Sequence, residues 1–178
     1  MLEHDGELWL HVGKGTFIGI RPVEEFSSIG AIAARSNPRE VMQARHFIEP
    51  MLAHEAALNA TAAHLDEMRR CVRASKEAAT WRQYENCDNR LHRTVAEASG
   101  NTVLTALFDQ LNAVRRAVVW GRLRDQTGRP SAGHHSFAEH DLLLAALTER
   151  DQEAAHRAML EHLLTVQGNL LGHRQAAE

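Results

Sequence analysis

The stretch 88-DNRLHRTVAEASGN-101 predicts a helix that carries two metal-ligating side chains and ends at a glycine. Asp88 and His92 are four residues apart, so a helix places them on one face, one turn above the other. Gly100 can take the left-handed conformation that ends many helices, and Asn101 can cap a following helix. The stretch therefore predicts two successive helices, of which the first presents a carboxylate beside an imidazole.

Helical spacing of apolar residues extends to both sides of this stretch and predicts six helices between residues 38 and 172. Each is preceded by a side chain that favours the capping position, namely Asn37, Thr61, Thr80, Asn101, Ser136 and Asp151. Ser136 and Glu139 have the spacing of a capping box, and Pro50 predicts a kink or a break in the first helix. The last helix is expected to end at Gly172. We therefore predict an all-α fold, an antiparallel six-helix bundle.

A pair of short strands is predicted ahead of the helices, in the stretch 7-ELWLHVGKGTFIGI-20. The strands are ELWLHV and TFIGI, and the glycines of Gly13-Lys14-Gly15 supply the positive φ angles of a tight turn. A lone hairpin is marginally stable in water, so we expect it to be the end of a larger unit. The residues that follow predict a linker with a short helical turn at about residues 24–32.

The composition fits one medium-sized soluble domain with a small appendage. The chain has 178 residues, of which 44% are hydrophobic, enough for a real core. Its net charge is -3, so the chain as a whole has no signature of a nucleic-acid-binding protein. Cys71 and Cys87 are too few for a disulfide framework. Because no apolar run is long enough to span a membrane, these features predict a cytoplasmic protein.

Two further histidines have the surroundings of inward-facing helical positions. His140 and His162 each lie among leucines at helical spacing, which places their imidazoles on the apolar side of a helix. With Asp88 and His92 they provide three imidazoles and a carboxylate, a set that suits zinc, nickel or manganese. The chain has 12 histidines, so the spacing is equally compatible with scattered core and surface histidines. The spacing alone leaves both interpretations open.

Four segments together resemble regulators of the GntR family, FadR subfamily. The stretch 88–101 is similar to the D-x-x-x-H and SGN signature of the FadR C-terminal (FCD) ligand-binding domain. The segment 139-EHDLLLAALTERDQEAAHRAMLEHL-163 resembles that domain's pattern around its later histidines, and 41-VMQARHFIEPMLAHEAALNAT-61 resembles its first helix. The hairpin segment 6-GELWLHVGKGTFIGI-20 resembles the wing of the GntR winged helix. The resemblance covers nearly the whole chain.

The resemblance implies a division of the chain into four parts. Residues 1–21 would be the wing hairpin of a truncated winged-helix DNA-binding domain, 22–37 a linker, 38–173 the FCD-like effector-binding and dimerisation domain, and 174–178 a tail. Such a winged helix has three helices ahead of its wing, so we expect this chain to be a fragment of a longer regulator; loss of that part is the alternative. Lys14 in the wing turn is the candidate DNA contact.

The resemblance also implies a metal site with an effector beside it. In the family the ion is held by the residues that correspond here to Asp88, His92, His140 and His162. Water, or an oxygen of a small carboxylate metabolite, would fill the remaining positions around one divalent ion per chain. The implied sensor therefore depends on its metal.

An arginine is well suited to bind the carboxylate of such an effector. Arg45 is the leading candidate, and the alternative is a surface arginine that pairs with Glu49, four residues on. Arg115, Arg116 and Asn112 are further candidates, among which the sequence does not decide.

Several neighbours of the implied ligands are expected not to bind the ion. Glu139 and Glu161 each precede a ligand by one residue, so a helix rotates them about 100° away from it. They are expected to support a ligand or to lie at the surface. His134 and His135 are expected to be exposed in the loop before the fifth predicted helix.

The implied function is that of a ligand-responsive transcriptional regulator and not of an enzyme. It would form a homodimer, with the long apolar fourth predicted helix as a candidate for the interface, and bind operator DNA through the full-length winged helix. The alternative is a metal-dependent hydrolase or isomerase on a helical bundle, which would need a general base beside a metal-bound water. No H-E-x-x-H or nucleophile motif occurs in the sequence, which favours the regulator.

Overall fold

The computed structural model describes residues 8–11, 15–18, 28–123 and 128–175. Near the start, strand β1 (Leu8–His11) pairs antiparallel with strand β2 (Gly15–Ile18). Lys14, the candidate DNA contact, lies outside the described residues. The assignment of the strand pair to the wing of a winged helix stays a prediction.

Seven helices follow in the described part of the chain. They are α1 (Ile29–Arg35), α2 (Pro38–Asn59), α3 (Ala62–Glu77), α4 (Trp81–Ala98), α5 (Thr102–Leu123), α6 (His135–Thr148) and α7 (Gln152–Gln175). The predicted all-α bundle is confirmed, because α2 to α7 correspond to the six predicted helices. Helix α1 lies within the predicted linker and overlaps the short helical turn predicted at about residues 24–32. Ser28 caps this helix and α5 packs against it.

Local capping explains why most helices begin where the sequence predicts. Asn37 and Glu40 form a capping box at the start of α2, in which each side chain accepts a hydrogen bond from the other residue's backbone N–H. Gly100 has a φ of 74°, and the Asn101 side chain accepts hydrogen bonds from the first backbone N–H groups of α5. The predicted end of one helix and start of the next is therefore confirmed.

The structure contradicts two local predictions and part of a third. Helix α2 continues through the buried Pro50, so a break there is wrong, while the kink predicted as its alternative stays a prediction. Ser136 does not cap α6, which begins at His135, and Glu139 accepts hydrogen bonds from side chains instead of from a backbone N–H. Helix α7 continues past Gly172, to Gln175.

Helix α2 lies at the centre of the bundle and packs against α4, α5, α6 and α7. Ala53, Ala56 and Ala57 of α2 are fully buried, and side chains this small let neighbouring helices approach closely. Leu91 on α4 and Leu163 on α7 are buried in the same core, next in sequence to His92 and His162. The apolar packing therefore fixes the positions from which these histidines project.

Candidate metal centre

Four side chains from three helices meet inside the bundle. Asp88 and His92 project from α4, His140 from α6 and His162 from α7, and one ligand atom of each lies within 4.8 Å of all the others. Asp88 Oδ1 lies 3.8 Å from His92 Nε2 and 3.5 Å from His140 Nε2. The structure thus brings together the four residues that the sequence resemblance implies.

The imidazoles of this cluster are buried and leave nitrogen atoms without a hydrogen-bond partner. The exposed fraction is 3% for His92 and 1% for both His140 and His162. His92 Nε2 and both ring nitrogens of His140 are buried and make no hydrogen bond. Because an unsatisfied buried polar atom is costly, such nitrogens need a partner that the protein does not supply. A divalent ion that accepts nitrogen ligands fits this requirement.

Glu49 of α2 contacts the cluster from behind His92. Its Oε2 accepts a hydrogen bond from His92 Nδ1 at 2.5 Å, which leaves Nε2 of this imidazole on the side of Asp88. A carboxylate in this position fixes the tautomer and the orientation of a ligating histidine. The sequence prediction considered Glu49 only as a surface partner of Arg45. The signal that could have found it is its place on the buried stripe of α2, between Arg45 and Ala53.

Glu139 of α6 does the same for the histidine of α7. It accepts hydrogen bonds from His162 Nδ1 at 2.8 Å and from His135 Nδ1 at 3.0 Å. Although burial works against ionisation, these hydrogen bonds lower the pKa of Glu139 to about 2. The position is that of a residue supporting a ligand, as one of the two roles expected for Glu139. Glu161, in contrast, is exposed.

The electrostatics of the cluster favour the protonation states that metal binding needs. Burial first, and then the neighbouring imidazoles, hold the pKa of His140 well below its usual value, and burial also lowers the pKa of His162. Burial by itself would raise the pKa of Asp88, but its electrostatic interactions with the nearby imidazoles and with Arg115 outweigh burial and lower that pKa. Neutral imidazoles and an ionised carboxylate are the forms that ligate a cation.

Two buried arginines adjoin the cluster. Arg45 of α2 forms an ion pair with Glu49, so the pairing expected as an alternative is present, but in the interior and not at the surface. Burial would lower the pKa of Arg45, and the charge of Glu49 raises it instead. Arg115 of α5 is also buried and donates hydrogen bonds to Asn112 and Asn89. Arg116, one residue on, is exposed.

The two histidines before α6 are partly buried, contrary to the sequence prediction. His134 packs edge-on against Trp81 and Tyr84, with ring centroids 5.4 Å and 5.1 Å away. His135 bonds to Glu139, as described above. The loop is held by aromatic contacts that no local pattern in the sequence indicates.

A polar cleft of about 540 Å³ lies on the opposite face of α4. Its lining includes Asn86, Arg90, Arg93 and Glu97, and these positions are about half a helical turn from Asp88 and His92. None of the four cluster residues lines this cleft, whereas Asn89 and Asn112, the hydrogen-bond partners of Arg115, do. No helix within the described residues has the length and apolar character that crossing a bilayer requires.

Comparison with known proteins finds one matching family model and several regulators of similar sequence. Residues 40–165 match the family model of the FCD domain. The chain is 27% identical to the "Uxu operon regulator" of Haemophilus influenzae over 96% of its own length and 64% of that relative. It is 31% identical to the "Uxu operon transcriptional regulator" of Escherichia coli over 76% of its own length and 54% of that protein. It thus spans less than two thirds of either relative.

A solved structure shows the same fold. The "Streptococcus agalactiae GntR" structure superposes with a TM-score of 0.62 at 20% identity, over 93% of this chain and 76% of that one. The match of the family model covers most of the chain and includes all four residues of the buried cluster. The chain therefore belongs to the FCD domain family, its sequence relatives are transcriptional regulators, and it shares its helical fold with a GntR regulator.

Proposed function

We propose that α2 to α7 form the metal-dependent effector-binding domain of a ligand-responsive GntR-family transcriptional regulator. The observation that carries the proposal is the buried cluster of Asp88, His92, His140 and His162, whose ligand atoms lie within 4.8 Å of one another. Two of its histidines are held by carboxylates, since His92 is hydrogen-bonded to Glu49 and His162 to Glu139. Histidines that bind a metal are commonly oriented by carboxylates in this way. Scattered core histidines would not share such an arrangement.

The four cluster residues would hold one divalent transition ion per chain, such as zinc, nickel or manganese. When bound, the ion supplies positive charge and open coordination positions that an effector oxygen can take. Substituting His92 or His162 with alanine should remove it, because each contributes an imidazole on which a buried ion depends. Elemental analysis of the purified protein measures this, and equal metal content in the wild type and both variants would refute the site.

The effector class that fits is a small carboxylate. A divalent cation with Arg45 and Arg115 nearby gives a buried site of net positive charge that Asp88 and Glu49 only partly offset. An anionic ligand would lower the cost of burying these charges. Arg45 is kept as an effector-binding candidate, in competition with its ion pair to Glu49.

A regulator explains the site better than a hydrolase or an isomerase does. A metal-dependent enzyme would need a general base beside its bound water. Glu49 and Glu139, the two carboxylates bonded to cluster histidines in the described part of the chain, each already accept a hydrogen bond from one. Both carboxylates therefore orient histidines that would bind the metal, and neither is left to act as a general base.

The homodimer expected of such a regulator has a suitable surface on α2 and α5. These helices run antiparallel, because Asn59 at the end of α2 donates a hydrogen bond to the carbonyl of Ser99, just before α5, at 3.0 Å. Farther along the pair, Leu52 packs against Phe108. The contact positions of this pair, buried or partly buried, are Ile48 and Leu52 on α2 and Leu104 and Phe108 on α5. In an antiparallel pair of helices, the residue that precedes each contact position points toward the same side of the pair on both helices.

These preceding residues are large, apolar and exposed. They are Phe47 and Met51 on α2 and Val103 and Leu107 on α5. We call them the α2/α5 apolar face. Contiguous exposed apolar side chains of this kind mark association surfaces, and a two-fold axis would bring the face against its own copy. The predicted interface helix, α5, contributes half of it.

The proposed function is tested on a full-length regulator that contains this chain and a winged helix. Zinc-loaded and chelator-treated protein are titrated with a panel of mono- and dicarboxylates by calorimetry, and operator DNA affinity is measured with and without the best binder. We expect carboxylate binding only by the zinc-loaded protein, and a change in operator affinity of roughly 5- to 150-fold. A neutral ligand that binds both forms equally would overturn the metal-dependent sensor.

A further inference from the structure

The two buried arginines beside the metal cluster have different partners. The Arg45 guanidinium is held by the Glu49 carboxylate through two hydrogen bonds, Nε to Oε1 at 2.5 Å and Nη2 to Oε2 at 3.3 Å. Arg115 donates from Nε to the Asn112 amide oxygen at 3.0 Å and from Nη2 to the Asn89 amide oxygen. Neither bond uses Nη1. Among the described residues, no carboxylate forms an ion pair with Arg115.

Arg115 is close enough to the cluster to act on it. Its charge is one of those that lower the pKa of Asp88, and its partner Asn89 follows Asp88 directly in α4. Burial, followed by the charge of Arg45, lowers the pKa of Arg115, although the charges of Asp88, Glu85 and Glu49 oppose this. The cation is therefore buried next to the proposed effector site with only neutral atoms bonded to it.

We propose that Arg115 binds a carboxylate group of the effector, and this assignment rests on the proposed metal-dependent sensor. Amide oxygens satisfy hydrogen bonds but do not neutralise the charge of a guanidinium, whereas a carboxylate does both. Asn89 and Asn112 fix the plane of the guanidinium, so its remaining N–H groups are pre-oriented for a planar anion.

The assignment gives the two arginines different roles. Arg45 holds Glu49, which in turn orients His92, so Arg45 acts on metal retention as well as on the charge of the site. In the described structure, Arg115 forms no hydrogen bond or ion pair with a cluster residue or with Glu49. Loss of Arg115 should therefore weaken effector binding and leave the metal in place.

In the test, zinc-loaded wild-type protein is titrated by calorimetry with acetate, lactate, succinate and citrate. The carboxylate that binds most tightly is then titrated into three zinc-loaded variants. Arg115→Gln should weaken its binding roughly ten- to a hundredfold, as expected for a lost charge-assisted hydrogen bond, with zinc content unchanged. Arg115→Lys should recover part of the affinity. Arg116→Gln, which removes the same charge from an exposed position of the same helix, should bind as the wild type.

Zinc content and thermal unfolding of each variant report whether it is folded. Wild-type affinity in folded Arg115→Gln would overturn the assignment, and so would an equal loss in Arg116→Gln, because the effect would then be one of general charge. If none of the four carboxylates binds the zinc-loaded wild type, the proposed effector class itself fails, which is recognised before any variant is tested.

Discussion

Glu49 is the residue whose role is least evident from its surroundings in the chain. Proline follows it, phenylalanine and isoleucine precede it, and its metal-site partner His92 is 43 residues away. In the fold it receives hydrogen bonds from Arg45 and from His92. Burial would raise the pKa of Glu49, but the charge of Arg45 and the hydrogen bonds from Arg45 and His92 lower it, so the carboxylate stays ionised.

Replacing Glu49 by glutamine should weaken metal binding. Glutamine keeps the size of the side chain but cannot hold the His92 imidazole as a carboxylate does, and loss of such a supporting group costs about 10- to 100-fold in metal affinity. Competition against a chromophoric zinc chelator measures this. Glu55→Gln is the matched control, since it removes a partly exposed carboxylate from the same helix and should leave the affinity unchanged. Equal affinities for both variants would contradict the role of Glu49.

The metal-free protein should lose stability as the pH falls below about 6.5. The pKa values of His140 and His162 are lowered from 6.5 in the fold, so between the folded and unfolded pKa values the unfolded chain binds more protons. Stability is therefore highest above about pH 6.5 and decreases in acid. Below about pH 4.5 the lowered pKa of Glu49 adds to the decrease, because there the unfolded chain protonates this carboxylate while the folded protein keeps it ionised.

Thermal unfolding of chelator-treated protein at pH 7.5, 6.5 and 5.5 checks this dependence. His140→Gln should reduce it, because a buried group that must otherwise become protonated on unfolding is removed. His156→Asn, which changes a partly exposed histidine of α7, should retain the full dependence. A melting temperature that does not vary with pH in the wild type would count against neutral, buried imidazoles.

At the scale of elements, the connection between α4 and α5 shows how a local signal specifies structure. Gly100 lies in the left-handed region with a φ of 74°, and Asn101 then caps α5. The side chain of Asn59 donates a hydrogen bond to the carbonyl of Ser99, which ties this connection to the end of α2. Since α4 carries two cluster residues, the end of this helix helps to fix their depth in the bundle.

Gly100→Ala should destabilise the protein by about 1–2 kcal/mol, since a Cβ is disfavoured at positive φ. The space around it is not the cause, because the nearest atom to an added Cβ would be 3.6 Å away. Gly168→Ala, in an exposed turn of α7 with no atom within 4 Å, should instead stabilise by up to about 1 kcal/mol. Urea unfolding of both variants measures whether the free energy of unfolding falls for Gly100→Ala and rises for Gly168→Ala. If Gly168→Ala destabilised the protein as much as Gly100→Ala does, the positive φ of Gly100 would not be the cause.

At the scale of the whole molecule, the distribution of apolar surface predicts association. Phe47 and Val103 of the α2/α5 apolar face are 71% and 69% exposed, which is unusual for side chains of this size in a chain with a well-packed core. The opposite side of the α2–α5 pair contributes to the core through Leu52 and Phe108. The apolar residues of these helices therefore have two roles, one inside the bundle and one between copies.

Phe47→Glu combined with Val103→Glu should convert a dimer of this chain into a monomer of 19.9 kDa. Facing carboxylates across a two-fold axis repel and cannot be buried without a partner. Sedimentation equilibrium measures the mass. The control is Leu142→Glu, which places the same charge at a similarly exposed leucine of α6 and should leave the dimer intact. If Leu142→Glu dissociated the dimer and the double variant did not, the interface would lie on α6 and not on the α2/α5 apolar face.

The sequence by itself determined the helices, most of their caps and the set of four cluster residues. Each of these depends on spacing within one turn or on a family motif, as for Asp88 and His92, and the structure brings the four side chains together. The pairing of Arg45 with Glu49 was one of two alternatives that the sequence left open, because a four-residue separation on a helix permits the pair without requiring it.

Only the tertiary structure decided that this pair is buried, that Glu49 holds His92, and that Arg115 is bonded to two amides. The local patterns that predicted a break at Pro50 and a cap at Ser136 were likewise wrong. Periodicity fixes which face a residue occupies on its own helix. It does not fix the charge that another helix places opposite that face, and the free energy of a buried ion or hydrogen bond depends on that neighbour.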